Sequence, residues 1–179
     1  MDRWLCLDPG STNTGVVQLE GDNVVFAENM SNQDTLRQIA KREHSKLVCE
    51  SVEYLSRGAG KTLIDTIFWS GVFCWESARG GGSPYVKMPR VDVKKILLGK
   101  GKWKDGDVRR RVIDIYAGPG QTEKDVIGLK ASPGVLYGLS SHTWQALACG
   151  LAHRIERGVC ELPGVHRGTL LDHLVPEEG

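Results

Sequence analysis

Two carboxylates end or interrupt apolar segments of the sequence, where an unpaired charge is costly. Asp8 follows the apolar run of RWLCLD and precedes a Pro-Gly-Ser turn. Glu50 interrupts a second apolar segment, LVC-E-SV. On neighbouring strands the two side chains would meet at roughly 5 Å and repel each other, unless a divalent cation, a basic group or a shared proton lies between them. Such a pair is typical of sites that hold Mg²⁺ and hydrolyse phosphodiesters.

Each acid alone also has an ordinary structural explanation. Asp8 could cap the turn that follows it, and Glu50 could pair with a lysine. The sequence favours a metal site only because both acids are predicted to lie on adjacent strands.

Two polar residues begin the segment SSHTWQALACGLAH. His142 and Gln145 are three residues apart and therefore share one face of a helix. A single histidine is more often a packed or solvated residue, so its interpretation depends on the two acids. Small residues that would let this helix approach a sheet closely are Ala146, Ala148, Cys149 and Ala152.

Basic residues are concentrated in one segment of the chain. Residues 87–111 hold ten Lys and Arg against three Asp and so carry +7, whereas the whole chain carries +1. A basic segment on an otherwise acidic chain indicates a polyanion partner such as nucleic acid, although a solvated helix face is the common alternative. Its residues predicted to contact DNA are Lys94, Lys95, Lys100, Lys102, Lys104, Arg109 and Arg110.

The composition favours one globular domain and argues against a membrane helix, a signal peptide and a structural zinc site. The 179 residues suffice for a single sizeable core. No apolar run approaches the roughly 18 residues of a membrane helix, and the N-terminus lacks the apolar region of a signal peptide. Five scattered cysteines without a CxxC pair are typical of reduced thiols and argue against structural zinc. We therefore expect a cytoplasmic protein with no membrane partner.

The periodicity predicts an α/β fold. Strands are expected at 3–8, 14–20, 24–29, 46–52 and 84–88. Helices are expected from a Ser31 cap to about 42 and at about 61–79, 90–98, 106–116 and 140–157, with a loop over 117–138. Three antiparallel strands followed by alternating helix and strand predict a mixed five-stranded sheet with helices on both faces. The predicted domain spans 1–157, and 158–179 form a C-terminal tail.

Four segments together resemble one family. LCLDPGSTNTGVVQLE resembles the opening of the RuvC-type Holliday junction resolvases, of the RNase H-like superfamily, in which an aspartate ends the first strand. VCESVEYLSRGAGKT is similar to the strand of the catalytic glutamate and the DNA-contacting loop after it. VKKILLGKGKWKDGDVRRRV and SSHTWQALACGLAH resemble the family's basic segment and terminal helix. The resemblance covers residues 3 to 154 in the correct order and extends most closely to divergent phage-encoded members.

The resemblance implies a Mg²⁺-dependent endonuclease, in which Mn²⁺ can replace Mg²⁺, that acts as a homodimer on four-way DNA junctions. Asp8, Glu50 and His142 would bind the metal. Lys94 would lie near the scissile phosphate, with Lys95 as an alternative. Tyr54 and Arg57 lie in the family's DNA-contacting loop, where they could stack on a base or hold a phosphate. The loop ends at Lys61, which is a further expected DNA contact.

Gln145 departs from the family pattern, which has a metal-binding aspartate at this catalytic position. An amide is a weaker Mg²⁺ ligand than a carboxylate. Three explanations stay open. The subfamily uses His142 alone on this helix, another acid completes the site, or Gln145 is an inactivating substitution. The candidate acids are Glu53, Asp65 and Asp107.

Three other functions also stay open at this point. The phosphate loop of actin-like ATPases and sugar kinases has a similar D-P-G-S-x-x-T-G pattern, but that family needs two lobes and the chain is short for them. A non-catalytic junction-binding module would explain Gln145. An RNase H-like nuclease acting on flaps or RNA–DNA hybrids would use the same acids.

Overall fold

The computed structural model of the chain describes residues 2–41, 43–52, 60–79 and 84–165. Its centre is a five-stranded mixed sheet, as the sequence predicts. The strands are β1 (Arg3–Pro9), β2 (Asn13–Glu20), β3 (Asn23–Ser31), β4 (Lys46–Ser51) and β5 (Tyr85–Pro89). Their order in the sheet is β3-β2-β1-β4-β5. The first three are antiparallel, and β4 and β5 run parallel to β1.

Helices cover both faces of this sheet, which confirms the predicted α/β architecture. They are α1 (Asn32–Ala40), α2 (Lys61–Ala78), α3 (Arg90–Leu98), α4 (Asp105–Tyr116), α5 (Glu123–Ile127) and α6 (Ser141–Glu156). One apolar core lies between the sheet and α1 and α2, and a larger one lies between the sheet and α3, α4 and α6. Ser31 caps α1 as predicted, because its hydroxyl accepts a hydrogen bond from the Asp34 amide at 3.1 Å.

Alternation along the strands decides which core each side chain enters. On β1, Cys6 lies in the core beneath α6, whereas Leu7 lies in the core beneath α2. On β4, Val48 likewise lies in the core beneath α6, and Cys49 lies in the core beneath α2. Because side chains two residues apart on a strand share a face, the carboxylates that follow Cys6 and Val48 by two positions project towards α6.

The predicted close approach of the last helix to the sheet is confirmed. The four small residues of α6 named above are fully buried. The approach is close at Gly150, where a Cβ would overlap the sulfur of Cys6 on β1. All five cysteines are free thiols, and Cys74 alone is not fully buried.

The predicted loop over 117–138 is wrong for its central part, which contains the short helix α5 and a two-stranded ribbon, β6 (Gly128–Leu129) and β7 (Ser132–Pro133). The start of α5 is fixed by Asp125, whose carboxylate accepts a hydrogen bond from the backbone amide of Thr122 at 2.7 Å. Val126 and Leu136 then enter the main core. These isolated apolar positions are too few for a periodicity to show in the sequence.

Beyond α6 the chain returns to the domain. Cys160 is buried, and the amide of Gly164 donates a hydrogen bond to the carbonyl of Ile115 at 3.0 Å. The division of the chain at residue 157 stays a prediction. None of the helices within the described ranges is long and apolar enough to cross a membrane.

Candidate active site

Asp8 and Glu50 lie side by side near the ends of two adjacent parallel strands. Leu7 of β1 is in register with Cys49 of β4, which places the next residue of each strand at neighbouring positions. Both carboxylates are buried, with 5% of Asp8 and 4% of Glu50 exposed to solvent. The sequence predicts this arrangement, and the structure shows the two acids on one edge and one face of the sheet.

Burial and the neighbouring Asp8 charge raise the pKa of Glu50 from 4.5 to about 7, and the positive charge of Arg90 opposes this increase. One Glu50 oxygen, Oε1, accepts a hydrogen bond from Arg90 at 3.0 Å. The other, Oε2, is buried and accepts no hydrogen bond from the described residues. A buried acceptor without a donor is costly, so a cation beside Glu50 would lower the free energy of the ionised pair.

Arg90 and Asp105 complete a chain of ion pairs that the sequence analysis did not identify. Arg90, the first residue of α3, bonds to Asp105, the first residue of α4, at 2.7 Å. Asp105 also pairs with the Lys94 ammonium at 3.0 Å. These ion pairs hold the pKa of Asp105 below its ordinary value, with the Arg90 hydrogen bond as the main cause. Arg90 could have been found, because it directly follows β5, which runs parallel to β4 and ends at the same edge.

His142 contacts Asp8 from the other side, with its Nδ1 2.7 Å from Oδ2 of the carboxylate. This hydrogen bond raises the pKa of His142, and burial opposes the increase only in part. The contact depends on Gly15 of β2, which is in register with Asp8. A Cβ at Gly15 would overlap the backbone carbonyl of His142. Gly15 therefore lets the first turn of α6 reach the carboxylates, a role that a glycine inside a strand pattern can signal.

These groups surround a cavity of about 580 Å³, hereafter the acidic cavity. Gln145 lies in its wall, one helical turn beyond His142. Asp105 also lines it, whereas the predicted candidate acids Asp65 and Asp107 do not. The full lining is Asp8, Pro9, Gly10, Ser11, Thr12, Asn13, Asn29, Glu50, Val52, Thr62, Thr66, Arg90, Asp105, Ser141, His142 and Gln145.

A second cavity of about 1040 Å³, hereafter the lysine cavity, adjoins the first, since Glu50, Val52 and Arg90 line both. Five of the predicted DNA contacts line it: Lys94, Lys95, Lys100, Lys102 and Lys104. The structure thus brings the predicted lysines to the opening beside the buried carboxylates.

Other predicted DNA contacts lie elsewhere. Arg109 pairs with Glu123 at 2.7 Å and lies 5.0 Å from the ring centre of Trp144, so its charge is engaged within the fold. Arg110 is exposed on α4 and lines neither cavity. Lys61 is exposed at the start of α2, beside a residue of the acidic cavity lining.

Three predicted residues, Glu53, Tyr54 and Arg57, lie outside the residues that the structure describes. Their assignments as an additional acid or as DNA contacts stay predictions.

The acidic cavity contains donor atoms of the type that binds a divalent cation. Asp8 and Glu50 supply hard carboxylate oxygens, which Mg²⁺ prefers, and Glu50 Oε2 has no other described partner. Within the described ranges no three His, Cys, Asp or Glu side chains are grouped closely enough to hold a metal ion. Arg90 instead contacts Glu50 and supplies positive charge to it, and His142 contacts Asp8.

Comparison with known proteins places this geometry in a known fold. No protein-family model matches the chain, and no curated protein matches it significantly in sequence. Among solved structures, a Thermus thermophilus RuvC structure matches with a TM-score of 0.60 and 18% identity, over 89% of this chain and 99% of that chain. The chain has a RuvC-like fold.

A second match is T. thermophilus RuvC in complex with a Holliday junction substrate, with a TM-score of 0.60 and 18% identity over 90% of this chain and 99% of that one. The RuvC-like, RNase H-like fold confirms the architecture that the sequence predicts. At 18% identity the likeness concerns the fold alone.

Proposed function

We propose that this protein is a divalent-metal-dependent endonuclease that resolves four-way DNA junctions by paired phosphodiester hydrolysis. The proposal is carried by one observation, the buried pair Asp8 and Glu50 in a cavity that opens into a lysine-lined one. The acids supply a metal site, and the lysines supply attraction for a phosphate backbone. The RuvC-like fold and the Holliday junction bound by one T. thermophilus relative support the choice of substrate.

Asp8 and Glu50 would hold Mg²⁺ or Mn²⁺. His142 on α6, which bonds to Asp8 in this structure, would become the third ligand once the three side chains close around the cation. When bound, the cation supplies an activated water and stabilises charge on the leaving oxygen. Arg90 favours the ionised form of Glu50 and holds its carboxylate in place through the 3.0 Å hydrogen bond. Lys94, held 3.0 Å from Asp105, is the cation positioned to contact the scissile phosphate, with Lys95 next to it in the same cavity.

A four-way junction is two-fold symmetric and requires two symmetric cuts, which a homodimer provides. One face of α2 supports this assembly, because it presents large apolar side chains to solvent. They are Ile64, Ile67, Phe68 and Trp75, each at least half exposed. Contiguous exposed apolar surface of this kind is typical of a protein interface, and a second copy of the chain is the partner that the symmetry of the substrate demands.

The test compares Asp8→Asn and Glu50→Gln with the unmodified protein on a labelled four-way junction. Both variants should lose cleavage in Mg²⁺ or Mn²⁺ and keep junction binding, since all five lysines of the lysine cavity are unchanged. Glu28→Gln, the same chemical change on an exposed strand position, is the matched control and should cleave normally. Loss of junction binding in both variants, with folding intact by circular dichroism, would contradict their assignment to the chemical step.

One observation favours a second candidate, a junction-binding protein without nuclease activity. Gln145 lines the acidic cavity where the family pattern has a carboxylate. A nicking assay with Mn²⁺ separates the two candidates, since a binding protein leaves the junction intact. Competition among a four-way junction, a flap and an RNA–DNA hybrid then identifies the preferred substrate of an active enzyme.

A further inference from the structure

Trp103 lies in the connection between α3 and α4, in the sequence GKGKWK, and it lines the lysine cavity. The residue is 38% exposed, so part of its large ring is open to solvent. The ring is nevertheless held in place. Its Nε1 donates a hydrogen bond to the carbonyl of Gly99 at 3.1 Å, and a Cβ at Gly101 would lie 2.9 Å from two ring atoms. Gly101 is therefore needed for the ring to lie against the backbone.

The surroundings of this ring are strongly cationic. Three exposed lysines flank it in sequence, Lys100, Lys102 and Lys104, and Lys95 adds a fourth charge to the cavity. Within the described part of the chain, Lys94 alone of the five cavity lysines forms an ion pair. A fixed aromatic ring among unpaired cations fits a ligand that has both flat apolar groups and repeated negative charges, which is the chemistry of a polynucleotide.

We propose that Trp103 stacks on an unpaired nucleobase of a DNA strand whose phosphates lie on these lysines. The inference rests on the proposed function and specifies where the strand enters the site. In a continuous duplex both faces of each base are covered by neighbouring bases, so a protein ring competes with base stacking. At a branch point or in a single strand a base face is free, and every base has one, so the contact is independent of sequence.

The ring is also linked to the acidic cavity. Lys94 donates a hydrogen bond from its ammonium to the backbone carbonyl of Trp103 at 3.0 Å and pairs with Asp105. Asp105 in turn pairs with Arg90, which contacts Glu50. A base stacked on Trp103 would therefore hold the strand at a residue that is connected to Glu50 through Lys94, Asp105 and Arg90. The stacking contact would select opened DNA at the position where cleavage is proposed.

The experiment measures binding by fluorescence anisotropy in EDTA, so that it does not depend on cleavage. The substrates are a four-way junction, a single-stranded oligonucleotide and a fully paired duplex. Trp103→Leu should bind the single strand and the junction about 5- to 150-fold more weakly and the duplex as the unmodified protein does. Trp103→Phe, which keeps an aromatic face but loses the hydrogen bond to Gly99, should retain most of the affinity.

Two controls separate stacking from disruption of the loop or from lost phosphate contacts. Tyr137→Leu removes an aromatic ring of similar exposure, 43%, that lines neither cavity, and binding should be unchanged. The slope of log affinity against log salt should be the same for Trp103→Leu as for the unmodified protein, because no phosphate contact is lost. As a direct readout, 2-aminopurine in the single strand should be quenched by the unmodified protein and not by Trp103→Leu.

Equal binding of the single strand by Trp103→Leu and the unmodified protein overturns the inference. So does an equal loss on the duplex, or a loss in Trp103→Phe as large as in Trp103→Leu. These results leave junction cleavage, and hence the proposed function, standing. Conversely, Trp103-dependent binding by a protein that never cleaves a junction supports the stacking contact and rejects the nuclease. An unmodified protein that binds no DNA rejects both.

Discussion

Replacing Glu50 with glutamine should make the metal-free protein more stable at alkaline pH. The folded-state pKa of Glu50 is raised from 4.5 to about 7, chiefly by burial and then by the Asp8 charge. Between these pH values the folded protein retains a proton that the unfolded chain releases, so the free energy of unfolding falls as the pH rises. Above pH 7 the folded protein carries the full cost of an ionised, buried Glu50.

The size of this effect follows from the pKa values. At 1.36 kcal/mol per pH unit, an interval of roughly 2.5 units corresponds to about 3 kcal/mol. The amide of Glu50→Gln carries no charge and can still accept the hydrogen bond from Arg90. At pH 8 in EDTA the variant should therefore unfold at a temperature about 6–12 °C higher than the unmodified protein. At pH 5 the unfolding temperatures of the variant and of the unmodified protein should nearly coincide.

Thermal and urea unfolding followed by circular dichroism at pH 5 and pH 8 measure both quantities, with Glu28→Gln as the exposed control. Addition of Mg²⁺ at pH 8 should stabilise the unmodified protein and leave Glu50→Gln unchanged, because the cation binds only the ionised pair. A variant that is less stable than the unmodified protein at pH 8, or equally stabilised at both pH values, would refute the electrostatic reasoning.

Three further substitutions test the site. Gly15→Ala should displace α6, and should therefore lower the free energy of unfolding by about 1–3 kcal/mol and abolish junction cleavage. The control Gly71→Ala, whose Cβ meets nothing within 4 Å, should change neither quantity in the same denaturation and cleavage assays. Arg90→Gln should shift the pH–rate profile of cleavage to higher pH, because Arg90 lowers the pKa of Glu50 and the metal requires the ionised carboxylate; an unchanged profile contradicts this. The unmodified protein should cleave the junction without the substitution Gln145→Asp. Cleavage by that variant alone would show that Gln145 inactivates the site.

The sheet and the acid pair were predictable because their signals are local and periodic. Asp8 and Glu50 each break an apolar strand, and the strand pattern alone predicts that β4 lies beside β1. The small residues of α6 likewise predict its approach to the sheet, which places His142 and Gln145 near the acids. In each case the informative feature is a residue that contradicts its apolar surroundings.

The remaining features depend on contacts between distant segments. Arg90 and Asp105 begin two different helices, and their ion pair depends on the placement of α3 and α4 in the fold, which no periodicity encodes. Trp103 and Gly101 become informative only once the loop is seen to form the lysine cavity. Charge density favours Arg109 as a DNA contact, and only the structure shows that its guanidinium also pairs with Glu123. The DNA contact at Arg109 stays a prediction.

The most direct test of the nuclease assignment is incubation of an end-labelled four-way junction with the unmodified protein in Mg²⁺ and, in parallel, in EDTA. The buried carboxylate pair predicts cleavage near the branch point in Mg²⁺ and intact DNA in EDTA, with Asp8→Asn inactive in both. The proposed homodimer predicts that the cuts are paired and symmetric. A junction that stays intact in Mg²⁺ and in Mn²⁺, or cleavage that persists in EDTA, would contradict the claim that Asp8 and Glu50 form a metal-dependent nuclease site.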